Sequence, residues 1–114
     1  ADPDLGAEAR LVAADLKRLQ ATTDWVREQL EKNPAAAYGA ATSYLRMFAL
    51  TVIGSFWVRI LDSIRDKDGA FYAQKRKVGR FFITQLLPEV RGLTVRIMDG
   101  AEALGDFDVA DFGD

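Results

Sequence analysis

The fold is decided by the stretch from Tyr44 to Ile64, which reads YLRMFALTVIGSFWVRILDSI. At the 100° step of an α-helix its polar members gather on one narrow stripe, and apolar side chains cover roughly two-thirds of the circumference. The polar members are Thr51, Ser55, Arg59 and Asp62. A helix with so wide an apolar surface has to be surrounded by other helices. The stretch therefore predicts the central helix of an all-α domain.

The charges in this stretch argue against a membrane span. Arg46 and Arg59 leave only about a dozen uncharged residues between them, which is roughly 18 Å of helix. The hydrocarbon layer of a bilayer is about 30 Å thick. We therefore predict a buried helix and no membrane span.

Apolar periodicity marks one long helix on each side of the central one. The stripe of the first helix is Leu5, Ala9, Val12, Leu16, Leu19, Thr23, Val26 and Leu30. The stripe of the third helix is Phe71, Val78, Phe82, Leu86, Val90, Leu93, Ile97 and Leu104. Together the three segments predict an antiparallel up-down bundle of three long helices in residues 1–104.

Helix signals set the expected boundaries of this bundle. Asn33-Pro34 is predicted to end the first helix, and Asp68 is predicted to cap the third. Weak helix formers at Gly39 and Thr42-Ser43 predict a break or a second cap near the start of the second helix, which leaves open whether residues 35–41 are helical. Pro88 is expected to kink the third helix, because it removes a backbone donor.

Residues 105–114 contain four aspartates and two phenylalanines without a helical stripe. We predict an acidic, flexible tail here, since chain termini are usually poorly ordered. The alternative is that Phe107 and Phe112 anchor this segment to a groove on the same or another chain. The chain begins with Ala1 and not with Met, so we expect it to be a piece of a longer protein.

Composition narrows the chemistry available to the 114-residue chain. It contains no cysteine and no histidine, which removes thiolate metal sites, disulfides and Ser-His-Asp catalysis. Its glycines do not form a phosphate-binding loop, and its acidic residues are expected to lie at the solvated surface. The residues therefore predict no catalytic, cofactor-binding or metal-binding site and no activity of this segment alone.

The apolar surplus of the central helix predicts an interface instead. Three helices cannot cover two-thirds of its circumference, so part of it should form an exposed patch that contacts another protein. The predicted patch is Met47, Leu50, Trp57, Val58 and Leu61. An isolated chain would then form a two-fold dimer through this patch. Phe56 and Trp57 are also predicted to anchor the core.

Two sets of basic residues are candidate binding groups. Lys75, Arg76, Lys77 and Arg80 form the densest charge cluster, and a solvated surface is favoured over contact with an anionic ligand such as phosphate. Nucleic acid is not expected, because the neighbouring aromatics fall on the apolar helix face. Arg46 and Arg59 predict either ordinary ion pairs, Arg59 with Asp62, or contacts with acidic groups across an interface.

Five stretches in this order carry a resemblance to a known family: Tyr44–Phe48, Gly54–Arg59, Lys77–Phe82, Leu86–Pro88 and Gly100–Leu104. Their order and spacing resemble the extra C-terminal domain of acyl-CoA dehydrogenases, the acetyl-CoA dehydrogenase C-terminal like domain of enzymes related to 3-methylmercaptopropionyl-CoA dehydrogenase. The resemblance covers the chain from Ala9 to Leu104.

The resemblance implies a parent enzyme that uses FAD to oxidise an acyl-CoA at its α–β bond in fatty acid metabolism. The FAD site and the catalytic glutamate of that family lie in upstream domains, so no catalytic residue is assigned to this chain. The implied role is a non-catalytic accessory domain that packs on the catalytic domains or between subunits of a cytoplasmic, oligomeric flavoprotein. A free-standing helical module that forms a homodimer or binds a partner helix is the alternative.

Overall fold

Four α-helices account for most of the chain in the computed structural model, which describes the backbone of residues 5–105 and the side chains of residues 6–98. They are α1 (Leu5–Lys32), α2 (Pro34–Ser63), α3 (Ala70–Phe81) and α4 (Glu89–Gly105), with a π-helical segment at Phe82–Leu86. No strand occurs within the described range. The all-α prediction is confirmed, and the third predicted helix is formed by α3, the π-helical segment and α4.

Asn33 alone separates α1 from α2, as predicted. Its backbone N–H donates to Gln29 O at 2.7 Å, and its carbonyl accepts from Ala36 N at 3.0 Å at the start of the next helix. Pro34 occupies the first turn, and the Asn33 side chain makes no capping bond. The short link lets the two helices pack along each other, and the Thr23 Oγ1 and Tyr44 Oη atoms lie 2.6 Å apart between them.

The predicted break near the start of α2 is absent, and residues 35–41 are helical. Ala37 and Ala40 in this stretch are buried, and Gly39 lies between them on the exposed side. Propensity is a weak preference that packing regularly overrides. Burial of Ala37 and Ala40 therefore keeps α2 helical through Gly39 and Thr42-Ser43, whose helix propensity is low.

One side chain is hydrogen-bonded to backbone carbonyls of the link between α2 and α3, and a glycine at its end leads into α3. Arg76 donates from Nη1 to the carbonyls of Ile64 at 3.0 Å and Lys67 at 3.1 Å. The N-cap of α3 is Gly69, with φ +118°, and the prediction of Asp68 as the cap is wrong. Glycine adopts this left-handed backbone without a Cβ clash, which explains why it takes the position.

The third helical segment departs from α-helix before Pro88. Leu87 N donates to Phe82 O at 2.9 Å, a bond that spans five residues, and Pro88 has no N–H to continue the ladder. The extra residue in this turn rotates the side chains that follow it about the helix axis. Ile83 and Leu87 are consequently buried, whereas Leu86 is exposed. The kink at Pro88 stays a prediction.

The core lies where α1, α2 and the third segment meet. Its most buried apolar members are Val12, Leu19, Met47, Leu61, Ile83, Leu87, Val90, Leu93 and Ile97. The inner face of α1 differs from the predicted stripe, since Leu16 and Leu30 are exposed while Glu8, Asp15 and Thr22 are buried. The prediction that Asp15 lies at the surface is therefore wrong.

Only the first residue of the predicted tail, residues 105–114, lies within the described range. Gly105 is the last residue of α4. The rest of the predicted tail, with Phe107 and Phe112, lies outside the described residues.

Candidate interaction surface

One face of helix α2 packs closely against the neighbouring helices, and we call it the inner face. Its buried residues are Ala37, Ala40, Met47, Thr51, Gly54 and Leu61. A Cβ at Gly54 would stand 3.1 Å from Leu87 Cδ1 and 3.7 Å from Val12 Cγ2, so the missing side chain lets α2 approach both neighbours. The Thr51 hydroxyl donates to the Met47 carbonyl at 2.8 Å, which allows this polar residue to be buried at little cost.

The opposite side of α2 is apolar and exposed. We name as the outer α2 face the six exposed large side chains on this side. They are Tyr38, Leu45, Phe48, Ile53, Phe56 and Ile60. At 1.5 Å per residue the set extends over about 33 Å of helix. An exposed apolar stripe of this length on an otherwise ordinary helical domain is typical of a protein contact.

The structure corrects the predicted interface at two of its five positions. Met47 is fully buried and Leu61 is 3% exposed, so both belong to the core of this chain. Leu50, Trp57 and Val58 are partly buried against that core. The polar stripe of α2 is itself divided, because Thr51 is fully buried with its hydroxyl bonded to the Met47 carbonyl, whereas Arg59 and Asp62 are exposed.

Of the two predicted core anchors, one is exposed in the structure and the other packs against the core. Phe56 is 52% exposed and lies in the middle of the outer α2 face, so its assignment to the core is wrong. Trp57 packs against the core, and a Cβ at Gly79 would come within 2.8 Å of its Cε3 atom. Small residues on α2 do not mark its inner face, because Ala37, Ala40 and Gly54 are buried whereas Gly39, Ala41 and Ala49 are exposed.

Two arginines lie on or beside the outer side of α2. Arg46 Nε donates to Glu89 Oε2 at 2.7 Å and so ties α2 to the start of α4. Arg59 is exposed, and the predicted partner Asp62 pairs with Arg65 at 3.8 Å. The Arg46 pair neutralises one charge beside the face, which keeps the surface suited to an apolar partner.

Two buried acidic residues on α1 are held by arginines. Glu8 Oε1 accepts from Arg80 Nε at 2.9 Å, joining α1 to α3. Asp15 Oδ1 accepts from Arg18 at 2.7 Å. Burial raises the pKa of Asp15, and the hydrogen bond and charge of Arg18 together with the charge of Arg91 oppose that rise. Both acids are therefore engaged by arginines of the same chain inside the helical packing.

Within the basic cluster, Lys75, Arg76 and Arg80 make contacts with other groups of the chain. Arg76 and Arg80 make the bonds to the link carbonyls and to Glu8 described above. Lys75 Nζ lies 5.4 Å from the centre of the Phe71 ring. Arg76, Lys77 and Arg80 line one shallow depression. Contact of this cluster with an anion stays a prediction, with less free charge than its sequence suggests.

Other kinds of site find little support in the described part of the chain. Within it no group of three or more acidic residues could hold a metal ion. Helix α2 is long and apolar enough to cross a membrane by length and composition, with a mean hydropathy of 1.4 over its best window. One such helix is weak evidence for a membrane span, and 22% of this window is buried inside the structure.

Comparison with known proteins gives one match. The family model described as acetyl-CoA dehydrogenase C-terminal like matches residues 1–108. No curated protein and no solved structure matches the chain. The match covers all four helices described above.

Proposed function

Because the chain belongs to the acetyl-CoA dehydrogenase C-terminal like family, we propose that it is the non-catalytic accessory domain of an FAD-dependent acyl-CoA dehydrogenase. It acts by packing on the enzyme through the outer α2 face. The observation that carries this proposal is the exposed apolar stripe centred on Phe56, on the side of α2 opposite its close-packed core.

The size of the outer α2 face supports a contact. Weighted by their exposed fractions, its six residues present on the order of 600 Å² of surface, taking roughly 200 Å² for a large side chain. Exposed patches of this size on a monomer are often functional. Burial at about 25 cal/mol per Å² makes such a surface a strong driving force for association, before the cost of association is subtracted.

The catalytic steps and the accessory role are proposed to belong to different domains of the parent enzyme. The parent enzyme would bind FAD and abstract the substrate proton in its other domains, and this up-down helical bundle would stabilise the arrangement of those domains or of subunits. The whole protein is proposed to be a cytoplasmic oligomer, with no nucleic-acid partner and no membrane span. An excess of apolar over charged surface on α2 fits such a protein partner.

The test uses the product of the complete reading frame that contains this chain. Phe56→Glu should reduce assembly or thermal stability of that enzyme, because it places a charge in an apolar contact. Val95→Glu is the matched control, since Val95 is an exposed apolar residue on α4 away from the outer α2 face. Native mass and flavin-monitored melting are the measurements.

Two results would contradict the proposal. One is a Phe56→Glu enzyme with the native mass and melting temperature of the wild type. The other is a coding sequence that starts with Met immediately before Ala1, because a free-standing interaction module would then replace the accessory domain.

A further inference from the structure

We propose that the outer α2 face is covered by the same face of a second copy of this chain, with the two α2 helices antiparallel. The two-fold axis passes between Ala49 and Val52. This inference rests on the docking role proposed above and names the partner at that surface. The accessory domains would thereby join two subunits to each other.

The first argument is the spacing of residues along the outer side of α2. Positions on this side recur at alternating steps of four and three residues: Tyr38, Thr42, Leu45, Ala49, Val52, Phe56, Arg59 and Ser63. Steps of this kind form the seam between two packed helices, where each side chain fits between residues of the partner. Seven of these eight positions are exposed on α2, and Val52 is partly buried.

The second argument is that the seam can pair with a second copy of itself in an antiparallel register. In an antiparallel pair centred between Ala49 and Val52, these two residues face each other across the axis. Leu45 then faces Phe56 of the second copy. Ala49 and Val52, the smaller residues, then lie at the centre of the contact, with Leu45 and Phe56 on either side.

Charge favours the same direction. A parallel pair would place Arg59 opposite Arg59, and like charges facing each other destabilise a contact. The antiparallel pair places Arg59 opposite Thr42, a polar residue that is exposed on this side of α2. Arg46, at the edge of the seam, is already paired with Glu89 at 2.7 Å.

The third argument is area. The pair would bury about 1,200 Å² in total if each copy covered on the order of 600 Å². That area requires Phe48, Ile53 and Ile60 beside the seam to be covered as well as Tyr38, Leu45 and Phe56. Specific interfaces bury about 1,200–2,000 Å². The outer α2 face is therefore large enough for a pair of copies without help from another surface.

Cysteine cross-linking tests the pairing, because the chain contains no cysteine of its own. Leu45→Cys and Phe56→Cys chains are oxidised separately and as an equal mixture, with helix content checked by circular dichroism. The mixture should give a disulfide-linked pair of chains. Each variant alone should remain uncross-linked, because equal positions in this register are separated by about 16 Å along the helices, far beyond the reach of a disulfide.

Val95→Cys on α4 is the matched control for random collision, and it should cross-link with neither variant. Cross-linking of each variant with itself would overturn the antiparallel register. No cross-linking above the control in any combination would overturn the self-pairing.

The outcomes separate this inference from the proposed function. If no cross-link forms while Phe56→Glu still disrupts the complete enzyme, the outer α2 face docks on the catalytic domains, and only the self-pairing fails. If the cross-link forms but Phe56→Glu leaves the enzyme unchanged, the self-pairing stands and the proposed function fails.

Discussion

Asp15 shows how one buried acid is made compatible with a helical core. Its side chain is almost fully enclosed, and the bond to Arg18 compensates part of the cost of removing its charge from water. Because burial is the largest influence, the pKa of Asp15 in the folded chain is raised from 3.8. Its charged form is thus less favourable in the folded state than in the unfolded state.

This raised pKa predicts a pH dependence of stability. The contribution of Asp15 is fully present below its unfolded pKa of 3.8 and is lost as the pH rises through its higher folded pKa. Asp15→Asn should therefore gain in stability relative to the wild type as the pH is raised from below 3.8 through that range. Urea unfolding of both proteins at a series of pH values measures the difference. A difference that stays constant with pH would contradict the raised pKa.

At the scale of elements, the contact of α2 with α3 depends on the absence of a side chain at Gly79. A Cβ there would lie 2.8 Å from Trp57 Cε3 and 3.2 Å from Leu61 Cδ2. By contrast, a Cβ at Gly39 on the exposed side of α2 would meet nothing within 4 Å. The two glycines have similar helical settings and differ in what surrounds them.

This contrast predicts opposite effects of one substitution. Gly39→Ala should raise the free energy of unfolding by up to about 1 kcal/mol, since alanine is the better helix former. Gly79→Ala should lower it, because overpacking costs about 1–3 kcal/mol and outweighs the same gain. Urea midpoints of the two variants give the comparison. Equal stabilisation by both would show that α3 does not approach α2 at Trp57.

The elements also show how far the sequence predicts this fold. Periodicity located the three helical segments and the end of α1 at Asn33-Pro34, because those signals are local. The π-helical segment was not predicted, since its extra residue follows from packing around Leu87 and from the missing donor of Pro88. The predicted stripe of the third helix is wrong at Leu86 and, before the π-helical segment, at Phe71 and Val78, all three of which are exposed.

At the scale of the whole molecule, the existence of a surplus apolar surface was predictable but its position was not. Counting apolar residues on α2 shows that neighbours cannot cover them all. Deciding which side is covered requires knowing which residues of α2 meet the neighbouring helices, as Gly54 meets Leu87 and Val12. These contacts are tertiary and do not show in the pattern of α2 alone, which is why Met47 and Leu61 are predicted in the exposed patch and are buried in the structure.

The most direct test of the central claim, that the outer α2 face is a protein contact, is the mass of this chain in solution. Sedimentation equilibrium over a concentration series should give wild-type and Val95→Glu chains a mass that rises toward twice the 12.6 kDa of one chain. Phe56→Glu should stay at the mass of a single chain. A wild type that remains a single chain throughout and binds no hydrophobic dye would contradict the account, as would a Phe56→Glu chain that associates like the wild type.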